Sequence, residues 1–442
     1  MVTQNIGTGS LWRNRPFIYL WLGQCISQLG NALYYVALFW MIQQLTGSPR
    51  LLGLTGTAMT APALLGLFTG VLVDRWDRAR LLLITDVLRG LVILIIPVLH
   101  LLGVLTWWQV LGPVLIAAVL SQFFLPAKNA LLPELVPAEQ LQQANALNSM
   151  SLQTAQVVGY AVAGGLIAAF GARLAFWLDS LSFFVSAVFT LLMLRAWRPR
   201  AAARRAPAPA GDTANPGQTA KTAQPSFWRE LRAGLQTAVR IPIVRTLIPV
   251  AVLLNFAITP LVVLLAHWAE EILQVGASGY GLLEMSLPLG MIAGSLLAGG
   301  PAKRLRPGIL TGWAIGLAGA AIVLFSLVRT LPGALGFLGL TGLLMAVVSV
   351  TTLTLMQRSI PPAHMGRVFG ATQAITNIGI PLGTALAGWA AEHVGAGPIF
   401  MGTGLAFLLA GALLYVNPAF RETKCSTTPK TQAEQEVVGQ AS

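Results

Sequence analysis

Residues 70–82 read GVLVDRWDRARLL, with five charged side chains in the seven positions from Asp74 to Arg80 and long apolar sequence on either side. The flanks, about 51–73 and 80–102, are each long enough to cross a bilayer, because about 20 residues at 1.5 Å rise span the hydrocarbon core. A short charged loop between two such stretches reads as the turn of a transmembrane hairpin at a membrane surface. Outward from it lie ten further apolar stretches, at about 17–43, 107–126, 142–169, 174–195, 244–268, 277–300, 308–328, 333–356, 367–391 and 397–416. Composition agrees: 55% of the 442 residues are hydrophobic and 10% charged, against about 25% charged in an ordinary soluble domain. The first stretch is too long for a signal peptide and no small-residue cleavage site follows it, so it is expected to remain in the mature chain.

The net charge of +13 invites a nucleic-acid reading, but topology accounts for it. With both termini cytoplasmic, every Lys and Arg falls in an inner segment except Arg50, Arg173 and Arg329 outside and Arg89 within the third span. This is the positive-inside pattern of a multi-pass plasma (inner) membrane protein. A basic stripe suited to phosphates is missing, so no nucleic-acid partner is expected.

Between spans six and seven, RAWRPRAAARRAPAPAGDTANPGQTAKTAQPS has no apolar period and reads as a disordered linker. It divides the chain into a cytoplasmic segment 1–16, a six-helix half 17–195, the linker 196–226, a helix 227–240, a second six-helix half 241–416 and a disordered cytoplasmic tail 417–442. In 227–240, Phe227, Leu231, Leu235 and Val239 recur at four-residue steps, which fits an interfacial amphipathic helix or a solvated extension of span seven. The halves echo each other: VPAEQLQQANALNSM and IPPAHMGRVFGATQA occupy matching places near 137–171 and 360–395, and DRWDRAR and AKRLRPG follow spans two and eight. The expected fold class is therefore an all-α polytopic membrane protein with twelve transmembrane helices in two six-helix halves, a transporter layout.

These residues resemble the major facilitator superfamily over about 17–416. The opening stretch is similar to that superfamily's signature loop between helices two and three, matched by Gly70, Asp74, Arg75 and Arg78, with Asp77 in place of a Gly, Ala79 in place of a basic residue, and Arg80 next to it. The Asp-Arg-x-Asp-Arg variant resembles the macrolide-efflux branch of the drug:proton antiporters. LLPELVPAEQLQQANAL and LDSLSFFVSA resemble stretches shared with enterobactin-type siderophore exporters. Helix five departs from the drug-antiporter pattern, since Tyr160 follows Gly159 where Pro is common. The resemblance implies a transporter working by alternating access.

Asp74 closes the second span, where a helix amino terminus or a basic side chain meets its charge only when the halves close on the inside. Gly70, Asp74, Arg75, Arg78 and Arg80 are therefore the candidate inner gate, with positive-inside anchoring as the competing role of the arginines. Ionisable groups within spans are costly and point to function; here they are Asp86, Arg89, Asp179 and Glu284. Asp86 and Arg89, at i and i+3, are placed to neutralise each other. Glu284, nearest the midplane and without a basic neighbour in its helix, is the first candidate to carry a proton, and Asp179 the second.

Polar side chains at helical spacing mark a solute path: Gln24, Gln28, Asn31 and Tyr35 in span one; Ser149, Gln153, Gln156 and Tyr160 in span five; Asn255 and Thr259 in span seven; Gln373, Asn377 and Thr384 in span eleven. Interhelical hydrogen bonding is the alternative role. No Gly-x-x-x-x-Gly-Lys-(Ser/Thr) loop is present to hold ATP, GTGLAF at 402–407 lies within a span, and His100, His267, His364 and His393 stand in separate segments. Cys25 and Cys425 form no disulfide framework. No cofactor, metal or enzymatic activity is expected. The partners are the lipid bilayer, a small-molecule substrate and protons, with the chain as a monomer. The function expected is proton-coupled efflux of bulky amphipathic, drug- or macrolide-like compounds. A siderophore or lysophospholipid carrier is the alternative, and a non-transporting membrane sensor or scaffold the alternative of another class.

Overall fold

The computed structural model describes residues 11–66, 69, 73, 76–197, 227–299, 307–360 and 364–416. The first helix, α1 (Arg15–Thr46), starts behind Asn14, whose side-chain oxygen accepts the Phe17 N–H at 3.3 Å. Pro16 sits in its first turn, where a missing N–H costs nothing. Gly47, at φ 63°, ends it in the left-handed region that a Cβ would disfavour. Ser48 then caps α2 (Pro49–Thr60) by accepting the Leu51 N–H at 3.4 Å, and α2 passes into a 3-10 turn at Ala61–Leu65 that contains Pro62.

The first half continues with α3 (Arg78–Leu101), α4 (Trp107–Leu135), α5 (Leu141–Phe170) and α6 (Ala172–Ala196). After it come α7 (Phe227–Arg240), α8 (Pro242–Val263), α9 (Gly276–Gly299), α10 (Pro307–Leu327), α11 (Leu331–Ser359), α12 (Met365–Val394) and α13 (Ala396–Val416). Ten of the described helices are long and apolar enough to cross a membrane. Of the twelve expected spans, 51–73 is described only in part. The other, 367–391, forms α12, whose Thr372, Gln373, Thr376, Asn377 and glycines lower its apolarity below that of the ten. The segments 1–10, 198–226 and 417–442 lie outside the described residues, so the expected linker and tail fall there almost entirely.

Two boundaries differ from those expected. The stretch at 107–126 forms a helix that runs on to Leu135 through Pro126 and Pro133, because apolar surface continues and membrane helices tolerate proline where neighbours satisfy the freed carbonyls. The stretch at 244–268 breaks after Val263, four residues beyond Thr259 and close behind Pro260. It resumes as a single turn, Leu265–His267, and a π-helical turn, Trp268–Ile272. The helix α7 has the expected bounds and packs against α12 and α8. Among its described side chains Ala238 is buried, while Val239 of the expected apolar stripe is exposed.

The halves are built alike. In the first, α1 packs on α5 and α6, and α3 on α4 and α6; in the second, α8 packs on α12 and α13, and α10 on α11 and α13. The most extensive contacts between halves are an exchanged pair, α2 against α12 and α5 against α9. Each is a crossing of glycines. A Cβ built on Gly53 would lie 2.7 Å from the Cα of Gly388, and one on Gly164 would lie 2.9 Å from the Cα of Gly281. Small residues let helix backbones meet where lipid supplies no hydrophobic drive.

These crossings leave no room for a side chain. Gly164→Val and Gly388→Val are therefore expected to hold the halves apart. Spin labels at Leu45 and Ile272, in a chain with Cys25 and Cys425 replaced by Ser, should report a longer and broader distance in either variant. Wild-type distances in both would show that the glycines do not set the approach.

Candidate functional site

The hydrogen bonds joining the halves gather at the end of the bundle where α1 ends and α2 begins. The Tyr35 hydroxyl donates to the Val262 carbonyl at 3.3 Å. Gln43 donates through Nε2 to Glu271 at 3.4 Å and meets His267 Nδ1 through Oε1 at 3.2 Å. Gln44 donates to Glu270 at 3.4 Å. Above the α2–α12 crossing, Glu392 accepts from the Ser48 hydroxyl at 2.8 Å and from the Arg50 N–H at 3.1 Å. A carboxylate of one half thus caps the amino terminus of a helix in the other, an arrangement that helix dipoles favour. The Trp40 ring stacks on Tyr280 at 5.8 Å between centroids. Together these contacts close this end.

Below the seal each half carries a cleft. The first, of ≈ 280 Å³, is lined by Gln28, Asn31 and Tyr35 of α1, Met59 of α2, Arg89 of α3, Ser121 and Gln122 of α4, and Gln156 and Tyr160 of α5. The second, of ≈ 310 Å³, is lined by Leu247, Val250, Leu254 and Asn255 of α8, Met345, Val348 and Met356 of α11, and Phe369, Thr372 and Gln373 of α12. Both clefts are walled mainly by apolar surface; the first carries more donors and acceptors, and the second adds Ser349 and Thr352 to Asn255, Thr372 and Gln373. An amphipathic solute bridging them would meet polar groups set in hydrocarbon on both sides, more of them in the first half.

The candidates on single helix faces divide accordingly. Gln28, Asn31, Tyr35, Gln156 and Tyr160 share the first cleft. Asn255 and Gln373 share the second, with Asn377 accepting from Gln373 at 3.0 Å. Gln24 is buried with its Nε2 unpartnered among the described residues, and neither it nor Gln153 is among the lining side chains. Thr259 turns its hydroxyl to the Phe256 carbonyl at 2.8 Å, and Thr384 pairs with Thr57 at 3.0 Å in the α2–α12 crossing. Ser121 and Gln122, isolated polar residues in an apolar run, escaped the face pattern because each stands without helical repeats.

Of the gate candidates, Gly70, Asp74 and Arg75 lie outside the described residues. Asp77 caps α3 by accepting the Arg80 N–H at 3.0 Å, and Arg80 pairs with the same carboxylate at 3.6 Å. Arg78 pairs with Glu134 of α4 and donates to the Ala130 carbonyl at 3.3 Å. The aspartate standing where a Gly was expected therefore has a capping role.

The charges within the spans form two groups. Glu284 is buried, its Oε1 without a hydrogen-bond partner among the described residues. It shares α9 with Tyr280, whose ring stacks on Trp40 of α1, while Tyr35 of α1 packs its ring on Tyr160 of α5 at 5.5 Å. Asp86, Arg89 and Asp179 form the other group. Asp86 and Arg89, one turn apart on α3, make their hydrogen bonds to other helices: Asp86 accepts from Ser186 at 2.7 Å, and Arg89 donates to Asn31 at 2.9 Å. The reason is that α6 packs on α3 and brings Ser186 to Asp86, while the Arg89 side chain reaches across to Asn31 on α1.

A family model described as Major Facilitator Superfamily matches residues 20–384. Macrolide efflux protein A of Streptococcus pyogenes is 26% identical, over 88% of this chain and 92% of its own. The enterobactin exporter EntS of Escherichia coli O1:K1 / APEC is 27% identical over 92% of each. Among solved structures, a bacterial homologue of the iron transporter ferroportin, in an inward-facing state, superposes with a TM-score of 0.69 at 17% identity, over 92% of this chain and 100% of its own.

The Glu392 cap yields a pH test. The Ser48 hydroxyl and the Arg50 N–H hold its carboxyl below the usual glutamate range. A depressed value means the cap is complete at neutral pH and is lost as the pH falls through that lowered value. Glu392→Gln should raise the collision rate of a spin label at position 44 with a water-soluble relaxation agent at neutral pH to the level wild type reaches only in acid. Identical rates in the two proteins across the whole pH range would remove Glu392 from the seal.

Proposed function

The chain belongs to the Major Facilitator Superfamily, and we propose that it is a secondary active exporter of bulky amphipathic compounds, working by alternating access and driven by inward proton flow. It is a multi-pass membrane transporter and not an enzyme. The observation that carries the export reading is the pair of clefts, one in each half, in which polar side chains stand in apolar walls on the same side of one seal. The positive-inside distribution of Lys and Arg supports placing the sealed end outside and both termini in the cytoplasm, which makes this an inward-facing state that receives cargo from the cell. The names of the relatives support two cargo classes: macrolide-like drugs and, as a second reading, an enterobactin-like siderophore. Both are large molecules with polar and apolar faces, as the two clefts require.

Coupling is assigned to Glu284 first. It shares α9 with Tyr280, whose ring stacks on Trp40 in the seal, and a carboxyl there that gains or loses a proton changes the charge in the closed core as the halves separate. The inner gate is assigned to Gly70, Asp74, Arg75, Arg78 and Arg80, closing when the outer seal opens.

Two measurements test this reading. In proteoliposomes with an imposed proton gradient, wild type should move a fluorescent macrolide or siderophore uphill, and Glu284→Gln should bind it yet fail to accumulate it. Retained uphill transport in Glu284→Gln with loss in Asp179→Asn would move the proton to Asp179, and no uphill transport of any compound by wild type would end the export reading. Separately, Asp74→Asn should slow turnover and increase cytoplasmic-side cysteine labelling while membrane insertion is unchanged. Unaltered labelling with full transport would reduce the loop to a topology signal.

A further inference from the structure

Asp86 and Asp179 are both fully buried. One Asp86 oxygen takes the Ser186 hydroxyl, while its other oxygen, both oxygens of Asp179 and the Arg89 Nε have no hydrogen-bond partner among the described residues. At Gly30, α1 presses so closely that a Cβ there would lie 2.8 Å from Asp179 Oδ1. The guanidinium lies 4.1 Å over the Phe183 ring and bonds Asn31. From α1, Tyr34 lines the same cleft as Arg89, and from α4 the uncharged Ser121 and Gln122 do so. Arg89 stands between the two carboxylates by position: one turn from Asp86 on α3, with its guanidinium over Phe183, one turn from Asp179 on α6.

Counting charge decides what this arrangement holds. Two ionised carboxylates and one guanidinium leave one net negative charge inside the bilayer, where uncompensated charge is strongly disfavoured. One added proton makes the cluster neutral. We propose that Asp86, Arg89 and Asp179 share a single stored proton, held in the first half apart from Glu284, and that Arg89 connects this store to the cleft it lines. Loading transfers a proton from cleft water to a carboxylate oxygen; unloading returns it to water and leaves the guanidinium between two carboxylates. Whichever of the two carboxyls is neutral, the other is balanced by Arg89, so the proton belongs to the cluster. Any charged solute in the cleft acts on the store through Arg89, the one member that lines it. That use rests on the transport reading; the store itself does not.

The test is infrared spectroscopy of the full chain in liposomes at neutral pH, reading the C=O stretch of protonated carboxyl groups and its shift in deuterium oxide. Charge counting expects the cluster's band to vanish in Asp86→Asn and equally in Asp179→Asn, because either change leaves one carboxylate matched by Arg89. Arg89→Gln should double the band, and Arg89→Lys, which keeps the charge, should leave it single. Glu284→Gln should leave the cluster's band in place. Persistence of the band in both Asn variants, its loss in one alone, or no gain in a folded Arg89→Gln would overturn the proposal, and the Asn and Lys variants decide it if Arg89→Gln does not fold. None of these readings needs export. A chain that exports nothing still reports its store, and one that exports without the band keeps the function and loses the store.

Discussion

The structure depends on how closely two helix backbones approach at two points. Where Gly53 meets Gly388 and Gly164 meets Gly281, no side chain intervenes, and the halves touch through backbone. In a bilayer, helix association relies on such packing and on hydrogen bonds, each worth only about 0.6 kcal/mol on average. Contacts of this kind are close enough to exclude water and lack the interlocked side chains that would make parting them slow. The surrounding hydrogen bonds, from Tyr35, Gln43, Gln44 and Glu392, are long or partly exposed. A seam of shallow contacts suits a protein whose halves must separate at one end and meet at the other.

The pseudo-repeat follows from the same economy. Because α2 crosses α12 and α5 crosses α9, each half supplies one crossing helix from its early part and one from its late part, and both crossings lie toward the same end. The clefts then open away from it. The greater share of polar side chains in the first comes from residues the repeat does not constrain, such as Gln122 and Gln156 against Val348 and Phe369.

Most of the helices were legible because apolar length is a local property, and the two-half layout followed from linker composition and loop charge. Helix ends were less so. Nothing local separates the tolerated Pro126 and Pro133 from Pro260, behind which α8 breaks; neighbouring helices decide which freed carbonyls are satisfied. The first cleft was legible in part, since Gln28, Asn31 and Tyr35 repeat along one face. The partners of charges were not. Asp86 and Arg89 are neighbours on their helix, yet Ser186 and Asn31 reach them first from helices far away in the chain. Glu392 left no sequence signal either, because its role is created by a helix start 342 residues distant.

The helix α12 touches both ends of the machine. At one end its Glu392 holds α2; its other end lies against α7, the short helix that follows the linker. At 1.5 Å per residue its 30 residues make a rod about 45 Å long. Midway, Gly379 and Gly383 rest on the backbone of α8, where a Cβ would lie 2.9 Å from the Val252 carbonyl and 2.6 Å from that of Phe256. A rod bearing on a smooth contact near its middle is a lever with a fulcrum. Turned about that contact as a rigid body, α12 would carry its α2 end opposite to its α7 end, and since Phe369, Thr372 and Gln373 lie on it, the wall of the second cleft would move with it.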